Sequence, residues 1–217
     1  MEITMVKAVI FDFDGTLADT IPDLLTAINR LRAKYGLSEV DEKFVLKFVN
    51  LDTESFVRAS VPEIGDNINE GIRIYKEEYS RCYLEKTKPF PGMEELVRDL
   101  RSKGIRLAIF SNKLNDYICG LAKKLYPDMF EIPLGVGAIA SKPAPDGVFM
   151  ILDKFGVSAD ETVFVGDSEI DFETAKNAGV RAVGVSWGYR GREFLEKLGM
   201  YAVVDTTNEL NEIIMKI

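Results

Sequence analysis

Short apolar segments of strand length alternate with longer amphipathic segments along most of this chain. The segment Lys7–Phe11 has no polar alternation, and similar segments follow at 106–110, 162–165 and 181–185, with a weaker one at 201–204. Continuous apolar runs of this length are typical of strands buried on both faces of a parallel sheet. Because helix-length segments separate them, the pattern predicts right-handed crossovers and a doubly wound α/β sheet.

Three of the intervening segments predict helices with defined ends. The segments Met93–Lys103, Asp146–Phe155 and Asp171–Asn177 are amphipathic, and each ends near a glycine. Glycine is frequent just beyond the last turn of a helix because it adopts the left-handed conformation there without steric strain. We therefore expect helices between the strands at these positions.

One long stretch interrupts the alternation. From about Ile21 to Tyr83 the apolar residues recur at helical spacing, without a convincing strand pattern. This stretch predicts a small helical bundle inserted after the first strand, and the prolines of residues 86–92 predict an extended linker back to the sheet. The expected organisation is a Rossmann-like core of residues 1–17 and 87–217 with an inserted helical cap of residues 18–86.

The charge and composition exclude several classes of function. The 217 residues include 27 Lys and Arg against 35 Asp and Glu, which gives a formal net charge of −8, and there is no histidine. The acidic balance argues against nucleic acid as a partner, because such binding depends on basic side chains that neutralise phosphates. The lack of histidine excludes a Ser-His-Asp triad, a Cys-His dyad and zinc sites ligated by histidine.

The sequence also lacks signals for export or membrane insertion. Residues 1–7 show no basic region followed by a long apolar one, and no later apolar run approaches membrane-spanning length. Cys82 and Cys119 are widely spaced and fit free thiols in a reducing compartment better than a disulfide. We expect a cytoplasmic protein without a membrane partner, and the sequence specifies no oligomeric state.

Polar side chains follow the predicted strands at the ends where ligands bind in doubly wound sheets. Taken singly, each fits a turn residue, a helix cap or a solvated charge, but together at successive strand ends they favour one shared site. The residues expected to converge are Asp12 and Asp14 after the first strand, Ser111 and Asn112 after the second, Lys142 after the apolar segment 136–140, and Asp167 and Asp171 after the segment 162–165.

A cluster of this composition suits phosphoryl transfer assisted by a cation. Carboxylates held close together repel one another, and Mg²⁺ relieves that repulsion while taking phosphate oxygens as ligands. An Asp side chain is a competent nucleophile towards phosphorus, and a second Asp two residues along is placed for proton transfer. Lys142 and the donors near Ser111 complete the expected cradle for a phosphoryl group.

These residues resemble the four motifs of the haloacid dehalogenase superfamily, most of whose members are phosphatases. The helical insert also occupies the position of the helical cap in one branch of that superfamily. The matching segments are Asp12–Leu17 (DFDGTL) for the first motif, Ser111-Asn112 for the second, Lys142-Pro143 for the third and Gly166–Asp171 (GDSEID) for the fourth.

The resemblance implies a role for each motif residue. Asp12 would be the nucleophile and Asp14 the general acid and base, with Ser111, Asn112 and Lys142 binding the phosphoryl group. Mg²⁺ would be held by the Asp12 carboxylate, the Asp14 main-chain carbonyl and Asp167, supported by Asp171 and the Gly15-Thr16 turn. This set implies hydrolysis of a phosphomonoester through an aspartyl-phosphate intermediate.

Within the superfamily the chain is most similar to phosphoglycolate-phosphatase-like proteins, through segments 19–24, 90–92, 111–113 and 187–190. This similarity implies a small phosphorylated metabolite as substrate. In the predicted cap, Arg58 falls where an arginine often appears in that branch, and it is a candidate to meet a substrate carboxylate.

Three other functions stay open at this point. A sugar phosphomutase similar to β-phosphoglucomutase shares nearly the same core, although such proteins usually carry a histidine shortly after the first motif. A phospho-signalling receiver also clusters Asp, a hydroxyl and Lys on a doubly wound sheet, but it has no helical insert. A non-catalytic phosphate-binding protein of the same fold is the third alternative, against which the intact Asp12, Asp14, Lys142 and Asp167 argue.

Overall fold

The computed structural model describes residues 5–49, 51–137 and 139–217. Short 3₁₀ segments at Pro62–Asn67 and Ala159–Glu161 complete the regular structure of these residues. The strands are β1 (Ala8–Phe11), β2 (Ala18–Asp19), β3 (Lys88–Pro89), β4 (Arg106–Leu114), β5 (Ile132–Val136), β6 (Thr162–Gly166), β7 (Arg181–Val185) and β8 (Ala202–Val204). The helices are α1 (Ile21–Lys34), α2 (Glu42–Leu46), α3 (Thr53–Ser60), α4 (Ile68–Cys82), α5 (Met93–Ser102), α6 (Asn115–Leu125), α7 (Asp146–Phe155), α8 (Glu169–Ala178), α9 (Arg192–Leu198) and α10 (Thr207–Lys216).

The main sheet has six strands in the order β5-β4-β1-β6-β7-β8. Its strand pairs are parallel, with Phe11 of β1 opposite Ile109 of β4 on one side and Val165 of β6 on the other. The chain therefore begins in the middle of the sheet, winds to one edge, and returns to add the other half beside β1. Strand order reverses between β1 and β6, which is where ligands bind in folds of this type.

The sheet is apolar on both faces because helices cover it. Along β1, the residues Ala8–Phe11 are all fully buried. Ile10, Phe110 and Phe164 of the three central strands pack on one face against Ile151 and other apolar residues of α7 and α8. The predicted doubly wound parallel α/β core is confirmed.

The described residues form two compact units. One unit contains the residues up to Ala18 together with Pro89–Ile217, and the other is Asp19–Lys88. The second unit differs from the predicted insert of residues 18–86 by one residue at its start and two at its end. A two-stranded sheet of β2 and β3 lies at the two crossings between the units.

The second unit is helical, in accordance with the sequence pattern. Leu24, Ile28 and Leu31 line the buried side of α1, and Tyr75 and Tyr79 are buried on α4, which packs along α1. The two tyrosine rings stack with centroids 5.8 Å apart and an interplanar angle of 10°. Burial of this apolar stripe is the main stabilising term for so small a bundle.

Two elements differ from the sequence-based expectation. Strand β4 continues to Leu114, so Ser111 and Asn112 lie within the strand instead of following it or capping a helix. The reason is a register shift against β5 between Phe110 and Leu114, where Leu114 pairs with Val136. The strand before Lys142 is Ile132–Val136, not the apolar segment 136–140, which is only partly within the described residues.

Two smaller observations complete the fold. Cys82 and Cys119 are both free thiols, as predicted, and burial raises the pKa of the Cys82 thiol to about 11. Among the described residues, no helix has both the length and the apolar character needed to cross a membrane.

Candidate active site

The first site carboxylate lies at the switch point of the sheet. Asp12 directly follows β1, and its backbone N–H donates to the Val165 carbonyl of β6 over 2.9 Å. Asp12 is 7% exposed, and its Oδ1 accepts a hydrogen bond from Lys142 Nζ over 2.7 Å. The pairing of the central strands β1 and β6 thus brings residues that are far apart in sequence to the same point.

The turn after β1 carries Asp14 and requires glycine at its centre. Gly15 has a φ of 85°, and its N–H donates to the Ala18 carbonyl over 3.0 Å. A Cβ at this position would lie 2.4 Å from Oδ2 of Asp167, well inside van der Waals contact. Both the left-handed backbone and the close approach of Asp167 exclude a side chain here.

Asp171 accepts hydrogen bonds on both carboxylate oxygens. Its Oδ2 accepts from the backbone N–H groups of Asp167 and Ser168 and from the Ser168 hydroxyl, over 3.2, 3.1 and 2.6 Å. Its Oδ1 accepts from Lys142 Nζ over 2.6 Å. Ser168 and Asp171 form a capping box at the start of α8.

Lys142 is held in place at both ends. Its side chain is 4% exposed and bridges Asp12 and Asp171. Its backbone is clamped by Asn112, whose Oδ1 accepts from Lys142 N–H over 2.7 Å while Nδ2 donates to the Lys142 carbonyl over 3.1 Å. The Asn112 amide is therefore engaged in positioning Lys142.

Ser111 and Lys113 lie two residues apart on β4 and face the site together, as the alternation of a strand requires. Ser111 is 1% exposed, and its hydroxyl oxygen accepts from the Lys113 backbone N–H over 3.2 Å. Because the oxygen is the acceptor in this bond, the hydroxyl proton stays available for donation to another group. Lys113 Nζ forms an ion pair with Asp14 Oδ1 over 3.2 Å.

Burial dominates the electrostatics of the cluster. Loss of hydration raises the pKa of Asp12 to about 7, with the charges of Asp171 and Asp14 adding to the shift and Lys142 opposing it. Burial, followed by the charges of Asp171 and Asp12, raises the pKa of Asp167 well above its ordinary value. Burial alone would lower the pKa of Lys142, but Asp12 and Asp171 together raise it above its ordinary value.

The same carboxylates fit a divalent cation. Asp12, Asp167 and Asp171 are buried and each places one oxygen within 4.8 Å of the others. Three carboxylates against the single Lys142 ammonium leave two negative charges in excess when all are ionised, which is the charge that one Mg²⁺ neutralises. Since Asp171 accepts four hydrogen bonds, against two for Asp167 and one for Asp12, the latter two have the greater remaining capacity as ligands.

The candidate residues described so far belong to the unit that contains the sheet. The remaining candidate, Arg58, belongs to the helical unit. Arg58 lies in the helical unit on α3, is about half exposed, and pairs with Glu54 of the same helix over 3.0 Å. Its proposed contact with a substrate carboxylate stays a prediction.

Sequence reasoning assigned no role to Lys113 and left Trp187 between pocket and core. The signal for Lys113 was its spacing of two residues from Ser111, which places both side chains on one face of a strand. Trp187 donates from its indole Nε1 to the Thr16 carbonyl over 3.1 Å, and Tyr189 N–H donates to Asp167 Oδ2 over 2.6 Å. Both bonds follow from the loop after β7, whose course the sequence does not specify.

Comparison with known proteins agrees with this geometry. The family model of haloacid dehalogenase-like hydrolases matches residues 9–185. A phosphoglycolate phosphatase of Rhodospirillum rubrum is 34% identical over 96% of this chain and 90% of its own length. One from Nitrosospira multiformis is 28% identical over 97% of this chain and 96% of its own length.

Solved structures are similar over nearly the whole chain. A provisionally assigned phosphoglycolate phosphatase from Lactobacillus delbrueckii superposes with a TM-score of 0.90 at 33% identity, covering 97% of this chain and 99% of its own. A provisionally assigned β-phosphoglucomutase from Thermotoga maritima has a TM-score of 0.79 at 24% identity, over 98% of this chain and 100% of its own. The latter likeness concerns the fold alone.

The chain belongs to the haloacid dehalogenase-like hydrolase family. It is a phosphatase of that type, so the predicted family and class of enzyme are confirmed. A phospho-signalling receiver is thereby excluded.

Proposed function

We propose that this protein is a Mg²⁺-dependent phosphomonoester hydrolase that forms an aspartyl phosphate on Asp12. The observation that carries the proposal is the position of the Asp12 carboxylate. It is buried at the end of β1, bound by Lys142 over 2.7 Å, and followed two residues later by an Asp14 that is paired with Lys113. A nucleophile and a proton donor are thus presented together on one turn.

Asp12 carries out the first displacement. A carboxylate oxygen of Asp12 attacks phosphorus, a new O–P bond forms, and the bond to the leaving oxygen breaks with its electron pair. Lys142 keeps the Asp12 side chain oriented and supplies positive charge beside the equatorial phosphate oxygens. The Ser111 hydroxyl donates to the same phosphoryl group.

Asp14 moves the protons. In its acid form it protonates the leaving oxygen, which would otherwise depart as an unstable alkoxide. The resulting carboxylate then accepts a proton from the water that attacks the phosphorus of the aspartyl phosphate. Phosphate leaves, and Asp12 returns to its ionised form.

The cation complements these residues. The Asp12 carboxylate, the Asp14 main-chain carbonyl and Asp167 would hold Mg²⁺, with Asp171 ordering the loop between Asp167 and α8. Bound there, Mg²⁺ supplies Lewis-acid stabilisation of negative charge on the phosphoryl oxygens.

The substrate is proposed to be a small phosphomonoester, with phosphoglycolate as the first candidate. Support comes from relatives up to 34% identical that are named phosphoglycolate phosphatases and match nearly the whole chain. Residues of the helical unit, including Arg58, are the candidates for substrate selection.

Phosphate release from a panel of phosphorylated metabolites, with Mg²⁺ and with chelator, tests the reaction. We expect Mg²⁺-dependent release that falls by at least about 10³-fold in Asp12→Asn, because the nucleophile is lost. Asp205→Asn is the matched control, since Asp205 also follows a strand but is exposed and pairs with Arg192. Turnover of Asp12→Asn at the wild-type rate would disprove the assignment.

Asp14→Asn separates the two chemical steps. An aryl phosphate with a good leaving group needs little protonation, so this variant should form the aspartyl phosphate and hydrolyse it slowly. Intact-protein mass spectrometry would then detect one added phosphoryl group. Interconversion of glucose phosphate isomers without phosphate release would identify a mutase, and no reaction with any compound would leave a phosphate-binding protein.

A further inference from the structure

The segment Trp187–Arg190, which follows β7, contacts the proposed cation site from outside the four motifs. The backbone N–H of Tyr189 donates to Oδ2 of Asp167 over 2.6 Å. This bond is short and charge-assisted, and Asp167 is fully buried. One oxygen of a proposed metal ligand is therefore oriented by a backbone group of this segment.

Gly188 makes the approach of the segment possible. A Cβ at residue 188 would lie 2.3 Å from Cβ of Asp167, 2.5 Å from its Oδ2 and 2.5 Å from the Gly15 carbonyl oxygen. Two of these three neighbours belong to Asp167, and the third is backbone of the turn that carries Asp14. Any side chain at 188 must displace the site itself, because the backbone of this turn has no alternative rotamer to adopt.

Trp187 connects the segment to the same turn. Its indole Nε1–H donates to the Thr16 carbonyl over 3.1 Å, and the Thr16 hydroxyl lies 3.4 Å from Oδ1 of Asp167. Thr16 is fully buried. The two oxygens of Asp167 are thus contacted by two different groups, the Tyr189 N–H and the Thr16 hydroxyl. Trp187 in turn binds the backbone carbonyl of Thr16.

Arg190 attaches the end of the segment to the start of α8. Its guanidinium makes a bidentate pair with Glu169, with Nε and Nη2 donating over 2.9 and 2.8 Å. Both side chains are about one-third exposed or less. Glu169 lies two residues after Asp167. The ion pair of Arg190 with Glu169 therefore holds the segment 187–190 beside the loop that carries Asp167.

We propose that Trp187–Arg190 is a positioning brace for divalent-cation binding, which acts by orienting Asp167 and the Thr16 backbone. The proposal rests on the cation site of the proposed function. None of the four residues is placed among the ligands; they hold a ligand in its binding orientation. Removing such outer contacts typically weakens metal binding by about 10- to 100-fold.

The protein carries its own probe for this test. Trp187 is the single tryptophan of the chain. Because its indole is hydrogen-bonded to the turn beside Asp12 and Asp14, Mg²⁺ binding should change its emission. Titration of the purified full chain with Mg²⁺, followed by tryptophan emission and by calorimetry, measures the dissociation constant independently of turnover.

The Gly188→Ala variant should bind Mg²⁺ about 10- to 100-fold more weakly than wild type. Gly184→Ala is the matched control, since Gly184 lies nearby on β7 and the nearest atom to a Cβ there is the thioether sulphur of the Met200 side chain at 2.5 Å. We expect the control to bind within about threefold of wild type, because a flexible side chain can move aside.

Trp187→Phe is the second variant, and it tests the same proposal if Gly188→Ala folds poorly. It removes the indole donor but retains an aromatic ring, and calorimetry should show Mg²⁺ binding weakened by about 10-fold, the lower end of the range for a lost outer contact. Unchanged Mg²⁺ affinity in folded Trp187→Phe and Gly188→Ala would overturn the brace while leaving the cation site intact. Absence of Mg²⁺ binding by the wild-type protein would overturn the cation site and the brace with it.

Discussion

The buried charge around Asp12 links cation binding to pH. Burial raises the pKa of Asp12 to about 7, and the pKa of the neighbouring Asp167 is raised too. A cation binds the ionised carboxylates, so below pH 7 it must displace a proton that the cation-free site has taken up. Protons therefore compete directly with the cation for the carboxylates.

The apparent affinity for Mg²⁺ should fall as pH drops below about 7, and the proton taken up by Asp12 alone should bring this loss towards about tenfold per pH unit, with the raised pKa of Asp167 adding to it. Calorimetry at several pH values, in buffers of different ionisation enthalpy, would count the protons released on binding. An affinity that is the same at pH 6 and pH 8, with no proton release, would contradict the raised pKa of Asp12.

The motifs predicted which residues lie close together, but not which hydrogen bonds each side chain makes. Asp12, Lys142, Asp167 and Asp171 lie close together, as expected for residues at the carboxyl ends of parallel strands. The motifs did not predict the hydrogen-bond partner of each side chain. The resemblance implies that Asn112 helps to bind the phosphoryl group through its backbone or its amide, and this role stays a prediction. The amide itself binds the backbone of Lys142, a contact that depends on the path of a distant loop.

At the level of elements, the helical unit is fastened where the chain leaves it. Asp23, in the first turn of α1, is fully buried and accepts from the backbone N–H groups of Lys86 and Thr87. Its Oδ2 also accepts from the Thr87 hydroxyl over 2.8 Å. One carboxylate therefore joins the beginning of the unit to its end, over 64 residues of sequence.

Replacement of Asp23 by Ala should destabilise this unit by about 3 kcal/mol, because it leaves the N–H and the hydroxyl of the buried Thr87 without an acceptor and also removes the acceptor of the Lys86 N–H. Hydrogen exchange should accelerate at those two amides in particular. Asp66→Asn is the control, since Asp66 is an exposed carboxylate of the same unit. Unchanged exchange at residues 86–87 in Asp23→Ala would show that these bonds contribute little.

At the level of the whole molecule, only one of the two compact units supplies the clustered carboxylates. The three clustered carboxylates all belong to the unit that contains the sheet, and none lies in Asp19–Lys88. Cation binding should therefore stabilise the sheet unit selectively, since a ligand stabilises only the structure that binds it.

At a Mg²⁺ concentration about 100 times the dissociation constant, the free energy of unfolding of the sheet unit should rise by about 2.7 kcal/mol. Hydrogen exchange should slow in β1 and β6 while α1 and α4 change little. Asp167→Asn should lose most of this stabilisation. Equal slowing in both units would mean that their stabilities are coupled.

The sequence alone determined the parallel sheet and the helical insert, and it predicted the carboxylates and the lysine that lie close together in the structure. Apolar periodicity sets the elements, and polar residues that end buried strands must gather at one edge of a parallel sheet. The tertiary structure decided which atoms meet: the extension of β4 through Ser111, the clamp of Asn112 on Lys142, and the contact of residues 187–189 with Asp167. Such contacts depend on the paths of loops and on register shifts, which arise from packing between segments more than 20 residues apart and leave no local periodic signal.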